Sequence, residues 1–146
     1  MGISQVEPPQ AHEILSKNSG AVYLDVRTEN EFAQGHPEGA INIPVVFIKG
    51  PGQMEPNEEF LAVVEATLPK NRKLVVGCGS GGRSQRACEI LEGAGYSDLT
   101  NVRGGFGGAR DQTGKVIVQG WRDAGLPVSS DTADVSYQAL RKKAGV

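Results

Sequence analysis

Apolar and polar positions along the chain fall into short runs of two periods, one suited to strands and one to helices. Ile3–Val6 is a short strand candidate. Residues 8–17 (PPQAHEILSK) place Ala11, Ile14 and Leu15 at helical spacing, with Pro9 near the start, where a missing N–H does no harm. Ala21–Val26 (AVYLDV) is an apolar run of strand length. Thr28 followed by Glu31 fits a capping box and opens a short helix. Residues 35–40 (GHPEGA) read as a turn, and Ile41–Ile43 as a short strand ended by Pro44. Residues 49–57 read as a Gly- and Pro-rich loop. Asn57 is placed to cap a helix through Leu68 that carries Phe60, Val63, Val64 and Leu68 on one side. Lys73–Val76 reads as a buried strand, 77–82 as a glycine-rich loop, and Arg83–Glu92 as a helix with Ala87, Ile90, Leu91 and Ala94 on its apolar face. Leu99–Val102 is a further strand, and Lys115–Val118 is half of a hairpin. A polar linker then leads to a last helix over 133–143.

Strands that alternate with helices predict an α/β fold: a mostly parallel sheet with helices on both faces. Chemistry in such sheets sits at the carboxyl ends of the strands, which puts Asp25 and Cys78 on one edge. A length of 146 residues fits one domain, expected over 1–130, with 131–146 as a linker and helix packed on or near it. A net charge of −2 gives no support for nucleic-acid or anionic-membrane binding. The chain has no apolar run long enough to span a bilayer. Met1–Gln10 has neither a basic start nor an apolar stretch, so no secretory signal is expected. The two cysteines, Cys78 and Cys88, make no disulfide framework. His12 and His36 are too far off in sequence to complete a zinc site, so no metal and no cofactor is expected. A reducing compartment follows, with the cytoplasm as the expected location, or an organelle if a presequence has been removed.

Glycine changes the picture. There are 20, about twice the usual share of roughly 7%, and many fall at 77–82 and 104–108. Clusters of this kind mark backbone that bends tightly or approaches a ligand closely. The first cluster joins strand to helix, and three readings of it compete. Gly77, Gly79 and Gly82 match a dinucleotide-binding G-x-G-x-x-G, but the acidic partner, Asp98, would precede a strand rather than end one. Gly77 to Ser84 approaches a phosphate-binding P-loop, but Arg83 stands where that motif needs Lys. The third reading is an anion cradle around Cys78. Backbone amides of Gly79, Ser80, Gly81 and Gly82 would turn inward, and the following helix would add its positive end. Such surroundings, with an arginine nearby, favour a reactive thiolate.

The run from Cys78 through Gly79, Ser80, Gly81, Gly82 and Arg83 to Ser84 resembles the active-site loop of single-domain rhodaneses. Leu24–Arg27, Glu31-Phe32 and Gly35–Pro44 resemble one further family signature. Gly104–Phe106, Trp121 and Ala124–Val128 resemble another. Together these span residues 10–128. The resemblance implies a rhodanese-like fold with a five-stranded sheet. It also implies thiosulfate sulfurtransferase activity, in which Cys78 takes sulfane sulfur as a persulfide. The donor would be thiosulfate or a similar small molecule, and the acceptor cyanide or a thiol such as glutathione or thioredoxin. Fourteen residues (107–120) intervene where many members continue directly, and they read as an inserted hairpin near the active-site edge. Phosphatases of the same fold have a longer C-x5-R loop, usually with His before the Cys. Here Cys78 and Arg83 form C-x4-R, and Gly77 precedes the Cys.

Other roles divide between chemistry and structure. Arg83 is expected to close the cradle and offset negative charge. Ser80 would contact the donor or simply shape the loop. Ser84 would cap the helix or offer its hydroxyl to the persulfide. Asp25 and Arg27 would support the site as an ion pair. Cys88 reads as a core thiol, His36 as a turn residue and Trp121 as packing. Besides turnover, a sulfur-carrier or interaction module is a second reading, and a Cys-dependent phosphatase or arsenate reductase a third.

Overall fold

The computed structural model describes residues 2–146. Its centre is a parallel sheet built from β1 (Ile3–Val6), β2 (Val22–Asp25) and three later strands. Between β1 and β2 runs α1 (Pro8–Lys17), whose first turn is closed by reciprocal bonds between Glu7 and Gln10. After β2 come α2 (Glu29–Gln34), the two-residue β3 (His36–Pro37) and β4 (Ile41–Asn42). A hairpin follows, β5 (Val46–Gly50) with β6 (Gln53–Pro56), then α3 (Phe60–Thr67) and β7 (Leu74–Gly77). The second half holds α4 (Gly82–Gly93), β8 (Leu99–Val102), the hairpin β9 (Ala109–Arg110) and β10 (Val116–Val118), β11 (Val128–Ser129) and α5 (Tyr137–Ala144).

The sheet order is β1-β8-β7-β2-β4, and every pairing in it is parallel. The α/β architecture with five strands and helices on both faces is therefore as the chain's periodicity and resemblance predict. Alternation along the central strands divides the core in two. Leu24, Leu74 and Val76 point to one face, under Val63 and Val64 of α3, Ala87, Cys88 and Leu91 of α4, and Tyr137 and Leu140 of α5. Tyr23 and Val75 point to the other, against Ala11 of α1, Phe32 of α2 and Trp121. β7 is buried along its whole length in the middle of the sheet, and its carboxyl end delivers Cys78. Asp25 lies beside Gly77 in register, on the same edge.

Several boundaries differ from the sequence-based expectation, each for a physical reason. Residues 49–57 are not simply a loop: Val46–Pro56 pair as a hairpin around Pro51-Gly52. α3 starts at Phe60, because the Asn57 side chain is used elsewhere. Its Oδ1 accepts from the Glu59 amide, and its buried Nδ2 donates to the Pro44 carbonyl and the Tyr137 hydroxyl. On α4, Cys88 takes the buried place and Ile90 is at the surface. α5 begins at Tyr137, where Ser136 accepts from the Ala139 amide as its cap. The 107–120 segment does fold back as the β9–β10 hairpin.

Candidate active site

The loop after β7 is shaped by what its carbonyls do. The Cys78 carbonyl accepts from the Phe106 amide at 2.8 Å, that of Gly79 from Gly107 at 2.9 Å, and that of Ser80 from Gly104 at 3.1 Å. The second glycine cluster thus runs alongside the first and holds its carbonyls outward. In a planar trans peptide the N–H points opposite to the C=O, so the amides of Gly79, Ser80 and Gly81 are turned the other way. The Gly81 amide donates to Cys78 Sγ at 3.0 Å. Gly81 itself has φ +118°, a conformation that glycine adopts without strain. It caps α4, whose first amides, at Gly82, Arg83 and Ser84, precede any intrahelical acceptor. Cys78 is buried, at 1% exposure.

Close approach explains two glycines. A β-carbon on Gly105 would collide with the Cys78 carbonyl, and one on Gly77 would collide with the Tyr23 hydroxyl. Tyr23 is buried, and its phenol is held well above its ordinary range by burial and by the charges of Asp25 and Cys78. Position 77, where related phosphatases carry His, therefore has no room for a side chain here.

Arg83 lies over the loop, with Nη2 3.2 Å from where a Gly79 β-carbon would stand. Its charge is not free. Nη1 and Nη2 donate to Glu31 Oε1 and Oε2 at 2.8 and 3.0 Å, a bidentate pair. Burial pushes the Glu31 carboxyl up, but the hydrogen bonds from Arg83 and Thr28 and the Arg83 charge outweigh it and bring it to about 2. The same Oε1 accepts from the Thr28 amide and hydroxyl, so the cap of α2 and the arginine of the loop share one carboxylate. Glu31 reads from the sequence as a capping residue and as part of a family signature; nothing in local spacing ties it to a partner 52 positions on.

Ser84 is fully buried, and its hydroxyl lies 2.5 Å from Asn101 Oδ1 and 3.1 Å from the Gly81 carbonyl. It faces β8 and the loop backbone. Asn101 in turn donates to Gln5 of β1 at 2.9 Å. Asp25 and Arg27 form a buried pair at 2.8 Å. Arg27 also donates to the Gly35 carbonyl and lies 4.5 Å above the Phe106 ring. His36 is buried against Phe32, bonding its carbonyl and stacking on its ring. Trp121 is buried and donates to the Pro127 carbonyl. Burial pushes the Cys88 thiol up to about 12, so it stays protonated within the core.

Two cavities flank the loop. One, about 370 Å³, is lined by Arg27, Glu31, Gly79, Phe106 and Arg122 among others. The other, about 390 Å³, is lined by Val45, Val46, Met54, Ser80, Arg83 and Arg86 among others. The Glu31–Arg83 pair contributes a side chain to each. Among the described residues, no cluster of metal-ligating side chains occurs, and no helix is long and apolar enough to cross a membrane.

Comparison with known proteins gives the family. Thiosulfate sulfurtransferase 16, chloroplastic, of Arabidopsis thaliana is 36% identical over 127 residues, covering 87% of this chain and 93% of that protein. Protein HIGH ARSENIC CONTENT 1, mitochondrial, also of Arabidopsis thaliana, is 43% identical over 89 residues, 61% of this chain, and the match spans only 52% of that protein. The crystal structure of Rv0390 from M. tuberculosis superposes with a TM-score of 0.75 at 32% identity, covering 90% of this chain and all of that one. The family model for the rhodanese-like domain matches residues 7–111, ending inside the β9–β10 hairpin. A cysteine cradled by amides at the end of the central strand is thus set within a chain that belongs to the rhodanese-like domain family.

Proposed function

We propose that this chain is a sulfurtransferase that moves sulfane sulfur through a persulfide on Cys78. The observation that carries this reading is the Gly81 amide aimed at Cys78 Sγ within a loop whose Cys78, Gly79 and Ser80 carbonyls are bonded outward. Relatives named as thiosulfate sulfurtransferases support the reaction class. In the first step Cys78 sulfur attacks the outer sulfur of a donor such as thiosulfate. The donor S–S bond breaks, its electron pair leaves with sulfite, and Cys–S–S⁻ remains. Amides of Gly79, Ser80, Gly81, Gly82, Arg83 and Ser84 would receive the charge on the new terminal sulfur without reorganising. Cyanide or a thiol, with glutathione or thioredoxin as candidates, then takes that sulfur and returns the thiolate. This is two-step covalent catalysis. Asp25 and Arg27 support the loop from beneath. Two free cysteines suit a reducing compartment, with the cytoplasm as our assignment.

The test is thiosulfate:cyanide turnover, with intact mass read after thiosulfate exposure. Wild type should gain one sulfur atom and form thiocyanate, and Cys78→Ser should do neither. Equal turnover in both proteins would remove Cys78 from the reaction. Loading without discharge to small acceptors would mark a sulfur carrier instead. The β9–β10 hairpin favours that second reading, since it follows directly on the 104–107 segment that tethers the loop and carries the exposed Ile117.

A further inference from the structure

Four guanidinium groups line the two cavities beside the loop, Arg27 and Arg122 in one and Arg83 and Arg86 in the other, and all but the exposed Arg86 have a carboxylate at hand. Arg27 is paired with Asp25 in the interior, and Arg122 with Asp123 in open solvent. The pair that matters is the third. Arg83 is the one cation the loop itself brings over Gly79, and both of its terminal nitrogens donate to Glu31. Glu31 keeps its charge throughout the neutral range, because Arg83 and Thr28 hold its carboxyl far below pH 7. Over Gly79, with Arg86 out at the exposed rim of the other cavity, the cradle is left with backbone amides and the end of α4, equivalent to about half a positive charge. That suits a donor with one negative charge better than one with two.

The geometry points to Glu31 as the residue that sets the charge class of the sulfur donor. By neutralising Arg83 it favours singly charged donors, organic thiosulfonates and alkyl persulfides, over the thiosulfate dianion. The chemistry is the same for both classes. Cys78 thiolate attacks the sulfane sulfur, the donor S–S bond breaks, and the electron pair leaves as sulfinate, thiolate or sulfite. This inference rests on the Cys78 persulfide. Glu31 does not touch the reacting sulfur; it acts through Arg83.

Glu31→Gln separates the charge from the cap, since Gln serves equally at the third position of a capping box. The measurement is kcat/KM for thiosulfate and for methanethiosulfonate, with cyanide as acceptor. In Glu31→Gln the ratio should move toward thiosulfate by about tenfold, mainly through a lower KM. The gain should shrink as salt rises, because the freed guanidinium is partly in water. A ratio that stays within about twofold of wild type in a folded variant overturns the inference. Should the variant fail to fold, the wild type still decides. Its kcat/KM for thiosulfate should fall only weakly with salt, as a site with about half a positive charge requires, and a steep fall would mean an uncompensated cation over the cysteine. Cys78→Ser keeps the two levels apart. If it is inactive while Glu31→Gln leaves the ratio unchanged, only the role of Glu31 is lost. If it remains active, the persulfide itself is lost.

Discussion

Gly105 presses its bare α-carbon against the carbonyl of Cys78, at φ +51°. The contact is part of the clamp that keeps the loop carbonyls outward. Gly105→Ala adds a methyl group that has nowhere to go and strains a left-handed backbone. Loss of about 2–4 kcal/mol of stability is expected from overpacking and the unfavourable φ together. Sulfur loading should fall in the fraction that still folds. Thermal unfolding and intact mass after thiosulfate check both.

Arg27 and Asp25 are both almost fully buried, so each depends on the other. Arg27→Met keeps the bulk and leaves the Asp25 carboxylate without its guanidinium. A cost of about 3–5 kcal/mol is expected, because a buried charge is left uncompensated. The double variant Asp25→Asn with Arg27→Met should recover part of it. Denaturant unfolding of the three proteins measures the coupling.

How much of this was legible in advance depends on how local the signal is. The Cys78 loop and β7 lie within one contiguous stretch, and the capping box of Thr28 and Glu31 spans four residues, so both are readable from spacing. The clamp joins residues 78–80 to 104–107, and Glu31 meets Arg83 from another element. No local periodicity encodes either. The β5–β6 hairpin escaped for a different reason. Gln53–Pro56 is fully exposed, so it carries no apolar alternation, and its Gly and Pro residues read as loop. Asn57 has the composition of a helix cap, yet its amide is consumed in tying Pro44 to Tyr137.

Ser84 is fully buried, its hydroxyl held by Asn101 and the Gly81 carbonyl. Ser84→Ala should lower stability by about 1–3 kcal/mol, since Asn101 Oδ1 would be left without its donor. Persulfide formation should survive at the temperature where the variant is folded. Loss of loading in a fully folded variant would instead place the hydroxyl on the sulfur.

Glu31 makes the fold sensitive to acid in one window. Its carboxyl is brought from an ordinary 4.5 to about 2 in the folded protein. A depressed acid contributes stability that is present above the unfolded value and is lost as the pH falls toward the folded one. About a third of this side chain faces water, and screening reduces its contribution to about 1–2 kcal/mol. Between pH 5 and pH 2 the unfolding temperature of wild type should therefore drop more steeply than that of Glu31→Gln. Parallel curves would mean that the pair carries no net stabilisation.

The outward tethers of Cys78, Gly79 and Ser80 come from a segment translated about 25 residues later. A nascent chain that has left the ribosome only as far as α4 holds the cysteine but nothing to orient its surroundings. The reactivity proposed for Cys78 is thus expected late in the maturing polypeptide, when β8 and the stretch beyond it dock. Pulsed sulfur labelling during refolding should find Cys78 competent only after that docking, so an unfinished chain is spared premature sulfuration.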